Sequence, residues 1–149
     1  MQASAPSEET QQSSPETQHA AHRLEWLRLT DGVAPEQWLA SREARRDLDL
    51  YDSAVVDMRR ILDVAGQRFR DQPRMIANRA VQLETMLKEK HIAERAPLLI
   101  VTLSQVPGQQ RYVDSFAALT QQYYNLRMEG LAQGQAIDEL KRQFDQRSP

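Results

Sequence analysis

Histidine is the side chain most often used for proton transfer and metal binding near neutral pH, and this sequence contains only His19, His22 and His91. His19 and His22 are three residues apart, a spacing that can place two imidazoles on one side of a helix. No third ligand accompanies them. His91 follows two lysines at a predicted helix end, where a cation complements the helix dipole. We therefore expect an exposed histidine pair and no metal site.

Carboxylates are the next candidates for chemistry, and Asp47, Asp49 and Asp52 are closely spaced. The glycine and the distal glutamate of an EF-hand loop are absent at the required offsets, so helix capping is the better interpretation. The sequence also lacks a glycine-rich phosphate loop, a nucleophile elbow and any cysteine. We expect a protein that is not an enzyme, with no cofactor and no small-molecule substrate.

Two arginines lie within apolar helical arcs, which is unusual for a charged side chain. Arg79 lies among Met75, Ile76, Leu83 and Met86, and Arg127 lies between the two apolar stripes of a later helix. One interpretation is that the aliphatic part of the arginine lies along the apolar surface while its guanidinium reaches water, or that the arginine forms an internal ion pair. The other is that it belongs to a surface that contacts a partner, where arginine is common. The candidate interface residues are Arg79, Tyr123, Tyr124, Arg127 and Met128.

Binding to nucleic acid is the alternative function, as a DNA-associated transcriptional regulator. Residues 42–79 contain nine arginines but also seven acidic residues, so the local excess of positive charge is small. Residues 126–137 faintly resemble a helix-turn-helix, yet Asp138 and Glu139 in the second helix would repel phosphates. Nucleic acid is therefore not the partner that the sequence favours. The ratio of 16 arginines to three lysines is typical of a GC-rich, bacterial genome.

The elements that must position these residues are predicted to be helices. Residues 112–131 carry two apolar stripes spanning roughly 200°, which predicts a central helix with neighbours on two sides. Amphipathic stretches over 54–69 and 75–87 are separated by a short break before Pro73, which predicts an antiparallel helical hairpin. A narrower stripe predicts a last helix over 135–144.

Two segments are less regular. Helical signals at 22–29 and 35–46 each carry a tryptophan, and we expect these short elements to dock through Trp26 and Trp38. Residues 97–105 fit a strand or a helix; because no second strand-like segment exists to pair with them, a short buried helix opened by Pro97 is favoured.

Together these patterns predict an all-α fold, a compact multi-helix bundle with antiparallel helical hairpins. Residues 1–20 contain no Phe, Trp, Tyr, Val, Leu, Ile, Lys or Arg and are predicted to form a disordered acidic tail. Residues 21–149 are predicted to form a single all-α domain. The sequence has no transmembrane segment or leader pattern, which predicts a cytoplasmic protein without membrane insertion.

The predicted function is non-enzymatic. The sequence favours a helical protein that acts through protein–protein contacts as an adaptor, assembly factor or complex subunit. Its partner would be another protein or a second copy of itself, as in a homodimer.

Overall fold

The computed structural model describes residues 21–107 and 115–147. Within these residues all regular structure is helical, which confirms the predicted all-α class. Two short 3₁₀ helices, Ala21–Arg23 and Leu29–Asp31, come first. The α-helices are α1 (Pro35–Ala44), α2 (Ser53–Arg68), α3 (Pro73–Glu89), α4 (Ala96–Leu103), α5 (Phe116–Met128) and α6 (Gln133–Arg147). The predicted tail at 1–20, with His19, and the predicted first residues of the central helix lie outside the described residues.

The chain divides into two compact units, residues 1–58 and 59–149, and α2 begins in the first and ends in the second. The single domain over residues 21–149 stays a prediction. None of the described helices combines the length and the apolar character needed to cross a bilayer.

The first unit is organised around one tryptophan, not two. Trp38 of α1 is fully buried, and its indole Nε1 donates a hydrogen bond to the carbonyl oxygen of Leu24 at 3.0 Å. Trp26 is 40% exposed, so the predicted docking through tryptophan is confirmed for Trp38, whereas Trp26 is less enclosed and the neighbouring Leu27 is fully buried. An isolated apolar cluster gives no indication of which ring turns inward.

The histidine prediction also needs correction in this unit. His22 is partly buried, and its Nδ1 lies 2.6 Å from Oδ1 of Asp47, which also accepts a hydrogen bond from the His22 backbone N–H at 3.0 Å. Asp47 therefore binds a residue 25 positions earlier in the chain. Asp52, in contrast, caps α2 as predicted, since its Oδ1 accepts from the backbone N–H of Ala54 at 2.9 Å.

Helix α3 begins at Pro73, as predicted. The conformation of its C-terminal end determines the direction of the segment that follows. His91 adopts a left-handed conformation with φ of 65°, and the backbone N–H of Ile92 donates to the carbonyl oxygen of Leu87 at 2.9 Å. These are the features of a Schellman motif, usually formed by glycine. The motif turns the chain into residues 92–95, which lead into α4.

Residues 96–103 form helix α4, so helix is the correct choice over strand. Leu99, Ile100 and Leu103 are buried, but Leu98 is 51% exposed and Val101 is 39% exposed. The expectation of a buried helix is therefore wrong for one face. Seven of the eight residues of α4 are apolar and cover most of the helix circumference, but the structure packs only one side of it.

Helix α5 packs against α3 and α6, which confirms the two neighbours predicted for the central helix. Its first predicted stripe is the buried one, with Phe116, Leu119 and Tyr123 enclosed. The ring of Phe116 meets that of Phe69 edge-on, with centroids 5.2 Å apart. The second stripe is more open, and Met128 is 39% exposed. Helix α6 starts at Gln133, two residues before the predicted start, and ends three residues later than predicted.

Candidate functional site

Arg127 and Tyr123, two of the predicted interface residues, form an internal cluster with Glu94. The Tyr123 hydroxyl donates to Oε1 of Glu94 at 2.6 Å, and Nη1 of Arg127 donates to Oε2 at 2.6 Å. The Arg127 and Glu94 side chains are each 12% exposed, and Tyr123 is fully buried. The same Nη1 donates to the Tyr123 oxygen at 3.2 Å. The structure thus gives Arg127 an internal ion pair, one of the two interpretations left open by its sequence position.

The electrostatics of this cluster keep the tyrosine neutral. Burial raises the pKa of Tyr123 above its ordinary value of 10.0, and the hydrogen bond to Glu94 and the negative charge of that carboxylate raise it further. Arg127 and Gln133 oppose the shift without cancelling it. A phenol with a raised pKa is a hydrogen-bond donor and a poor base, so the cluster connects α5 to the segment before α4 and offers no activated nucleophile.

A Tyr123→Phe variant should separate these effects. At pH 7 the loss of a hydrogen bond to a charged group should lower the free energy of unfolding by about 1.5–3 kcal/mol. Above pH 10 the unfolded wild-type chain releases the phenolic proton while the folded chain retains it, so wild-type stability should fall as pH rises and the difference from Tyr123→Phe should shrink. Urea denaturation of both proteins at pH 7 and pH 11 measures this; a difference that grows with pH would contradict the assignment.

A second carboxylate, Glu84 of α3, holds the first residue of α4. Its side chain is buried, and Oε1 accepts a hydrogen bond from the Ala96 backbone N–H at 2.6 Å. Arg95 lies 3.5 Å from Oε2. The free N–H groups at a helix N-terminus carry partial positive charge, so a buried carboxylate is stabilised there. Glu84 therefore fixes where α4 begins.

The other end of α4 is held by an arginine. Nη1 of Arg68, at the end of α2, donates to the carbonyl oxygen of Ser104 at 3.0 Å. The Ser104 hydroxyl donates to the carbonyl oxygen of Ile100 at 2.6 Å. The carbonyl oxygen and the hydroxyl of Ser104 are therefore both hydrogen-bonded within the protein. The contact with Arg68 places the end of α4 alongside the second half of α2.

Between these two helices lies an open apolar groove of about 330 Å³, which we call the α2–α4 groove. Val64 is 43% exposed and Val101 is 39% exposed along it, and Leu98 extends the apolar surface one turn along α4. The groove is lined by Arg60, Ile61, Val64, Arg68, Val101, Ser104 and Gln105. No carboxylate is among these lining residues. Exposed apolar side chains that are grouped in this way mark binding surfaces more often than single exposed residues do.

Arg79 lies elsewhere, at a smaller and more polar cavity of about 210 Å³ between α3 and α5. Its Nη1 donates to Oε1 of Gln82 at 3.0 Å, and Thr120 and Gln121 line the opposite side. None of the other four predicted interface residues lines this cavity. The structure therefore brings Tyr123 and Arg127 together but does not bring Arg79 to them.

The remaining predicted interface residues are on the more open stripe of α5: Tyr124 is partly exposed and Met128 is exposed. Binding of a partner by any of the five stays a prediction. Sequence reasoning missed Val64, Leu98, Val101 and Glu94. A signal for Leu98 and Val101 was present, because an apolar helix segment with no polar side cannot hide all its faces in a small protein.

The helix-turn-helix resemblance falls on α5 and α6. Ala136 and Ile137 are buried, and the surface of α6 near its start carries Asp138 and Glu139. Arg142 pairs with Glu139, and Gln143 donates to the same carboxylate at 2.9 Å; both contacts lower the pKa of Glu139. The Glu139 carboxylate therefore stays ionised at neutral pH, and together with Asp138 it places negative charge near the start of α6, where it would oppose DNA phosphates.

The part of the chain that the structure describes contains no cluster of three His, Asp or Glu side chains suited to a metal ion. Two carboxylates with little solvent exposure, Glu84 and Glu94, both bind groups that position the segment around α4. Their geometry supports a structural role for Glu84 and Glu94, which fix the position of α4 and of its exposed face.

Comparison with known proteins decides the family. The sequence model of the MoxZ family matches residues 36–145, which is well over half of the chain. This chain belongs to the MoxZ family. Protein MoxZ of Paracoccus denitrificans is 27% identical to it over 118 residues, which cover 79% of this chain and 68% of the relative. No solved structure matches the chain.

The MoxZ match extends from α1 to the second half of α6. It therefore includes both carboxylate contacts around α4 and the whole α2–α4 groove. The surface described above belongs to the MoxZ-matched region and not to the flanking residues.

Proposed function

We propose that this chain is a non-enzymatic accessory protein of a bacterial methanol-oxidation system and that it acts by binding another protein. Family membership supports the process, because the MoxZ family is associated with methanol oxidation. The observation that carries the mode of action is the α2–α4 groove, which is lined by the exposed side chains of Val64 and Val101, with Leu98 exposed one turn before Val101 on α4.

The described polar clusters support a positioning role over catalysis. Glu94 is bound by Tyr123 and Arg127, and Glu84 is bound by the Ala96 N–H. A general acid or base must face a substrate, whereas these groups face backbone and side chains of the protein. What they place at the surface is α4, with its exposed apolar face.

A gene-deletion experiment in the source bacterium tests the process. The deletion strain should lose growth on methanol, or grow on it several-fold more slowly, while its growth on succinate stays unchanged. Complementation with the wild-type gene should restore growth. Equal growth of the deletion and parent strains on methanol would overturn the proposed process.

A second arm tests the non-enzymatic role. Purified protein crosslinked in extracts of methanol-grown cells should yield a defined heteromeric product. A Val64→Asp, Val101→Asp variant should fold but fail to complement. A protein that complements fully with the groove disrupted would act through some other surface or activity.

A further inference from the structure

We propose that the α2–α4 groove binds an amphipathic helix of a partner protein that presents aliphatic side chains on one face and carboxylates beside them. This inference rests on the proposed function, since it specifies the partner that the accessory protein binds. Three observations support it: the aliphatic side chains of the floor, the positive charges of the lining and the small number of neutral polar groups.

The floor of the groove is aliphatic. Ile61 and Val64 come from α2, Val101 comes from α4, and Leu98 lies three residues before Val101 on the same helical face. Burial of such side chains is favourable because it removes apolar surface from water. An occupant with a row of aliphatic side chains would therefore gain most from this surface.

The charged residues that line the groove are Arg60 and Arg68, with no carboxylate among the lining residues. Both arginines already have a contact within the protein, and that of Arg68 is the hydrogen bond from Nη1 to the Ser104 carbonyl. A guanidinium has five N–H donors, so it can bind a carboxylate at the same time. Carboxylates on the occupant would complement this charge. Basic side chains in the same places would be repelled.

The groove has few polar groups to orient a small molecule. Ser104 is engaged through its hydroxyl and its carbonyl, which leaves the Gln105 side chain as the remaining neutral polar group in the lining. Small-molecule pockets normally contain several convergent polar groups. The described residues also contain no strand edge that could pair with an extended peptide, whereas a groove between helices suits an added helix.

A second copy of the chain is a weaker candidate occupant. The strongest apolar stripes of its own helices are already buried: Ile76 and Leu83 of α3, Tyr123 of α5, and Leu140 of α6. None of these stripes is available to a neighbouring copy without unfolding. A symmetric contact through the groove itself would bring Arg60 and Arg68 of two copies close together, and like charges repel, so a different protein is favoured.

The test uses a fluorescein-labelled helical peptide of about 16 residues, roughly four turns. Leucines at i, i+4 and i+7 form one face, and glutamates flank them. Matched peptides carry lysine for each glutamate, or alanine for each leucine. Fluorescence anisotropy with the full chain should give a Kd in the micromolar range for the acidic leucine peptide, and at least about tenfold weaker binding for both matched peptides.

Variants of the protein locate the site. Val101→Asp and Leu98→Asp should each weaken binding of the acidic peptide by about tenfold or more. The circular dichroism spectrum and the melting curve of each variant should stay like those of the wild type. Arg60→Glu should weaken binding of the acidic peptide and strengthen binding of the lysine peptide. Lys88→Glu, the same charge change at an exposed site on α3, and Leu29→Asp, at a side chain 82% exposed in the first unit, should leave both affinities unchanged.

The results separate this inference from the proposed function. The inference is wrong if the acidic peptide does not bind, if it binds no better than the lysine peptide, or if the groove variants leave its affinity unchanged. This holds even if the deletion strain does not grow on methanol. A dimer in sedimentation that Val101→Asp dissociates would show a second copy in the groove, and would also overturn it. If the peptide binds as expected but the deletion strain grows normally on methanol, the groove assignment holds and the proposed process fails. Should Val101→Asp misfold, Val101→Ser provides the same test with a milder change.

Discussion

A Glu94→Ala variant should be less stable than the wild type by about 3–5 kcal/mol, the cost of leaving a buried charge without its partner. Glu94 accepts from both Tyr123 and Arg127 at 2.6 Å, so its removal leaves a guanidinium and a hydroxyl unpaired inside the protein. The lower end of the range is expected because the arginine and glutamate side chains are each 12% exposed. Urea denaturation at pH 7 measures the change.

Two further variants make that result specific. Glu139→Ala removes an exposed ion pair of the same type on α6 and should leave the urea midpoint almost unchanged. The combined variant Glu94→Leu, Tyr123→Phe, Arg127→Leu removes the carboxylate, the phenol and the guanidinium together and should be more stable than Glu94→Ala, since it does not leave a buried guanidinium and hydroxyl without their carboxylate. If Glu94→Ala behaves like Glu139→Ala, the cluster is not buried as described.

A Trp38→Ala variant should lose about 3–5 kcal/mol, the usual cost of truncating a large buried aromatic side chain. The ring is fully buried, its indole N–H binds the Leu24 carbonyl, and the Arg42 guanidinium lies 5.8 Å from the ring centroid. Among the described residues of the first unit, Trp38 is the only fully buried aromatic side chain, so the loss of packing should be greatest in this unit.

Trp26→Ala is the natural control for this prediction, since the same residue type is 40% exposed 12 positions earlier. Its melting temperature should change by only a few degrees. Hydrogen exchange should show faster exchange in α1 for Trp38→Ala and not for Trp26→Ala. Similar losses for the two variants would indicate that both rings support the fold equally.

The sequence predicts the helices of this fold well because their periodic stripes are long. The helix that contains Leu62, the helix that begins at Pro73 and the central helix with neighbours on two sides all follow from apolar spacing and from proline at a first turn. Capping by Asp52 follows from its position before an amphipathic stretch. These are local properties, so a single sequence contains them.

The candidate site depends on contacts between distant residues, and most of it could not be predicted. Glu94 lies in a short connection without periodicity, 29 positions from Tyr123 and 33 from Arg127. The buried position of Arg127 indicated that a partner was needed but not which acid supplied it. Prediction of the groove would require knowing which face of α4 stays exposed beside the second half of α2. That depends on how the two helices pack, which a single sequence does not specify.

Helix α4 has eight residues, too few for a helix that is stable alone in water. A carboxylate binds its first N–H and a guanidinium binds the carbonyl just after its last residue, so each end meets a charge of the sign that complements its dipole. The conformational entropy of this surface is consequently lost when the chain folds and not when a ligand arrives. Val101 and Leu98 are displayed on a preorganised element, which lowers the entropic cost of association and allows a small apolar surface to bind usefully tightly.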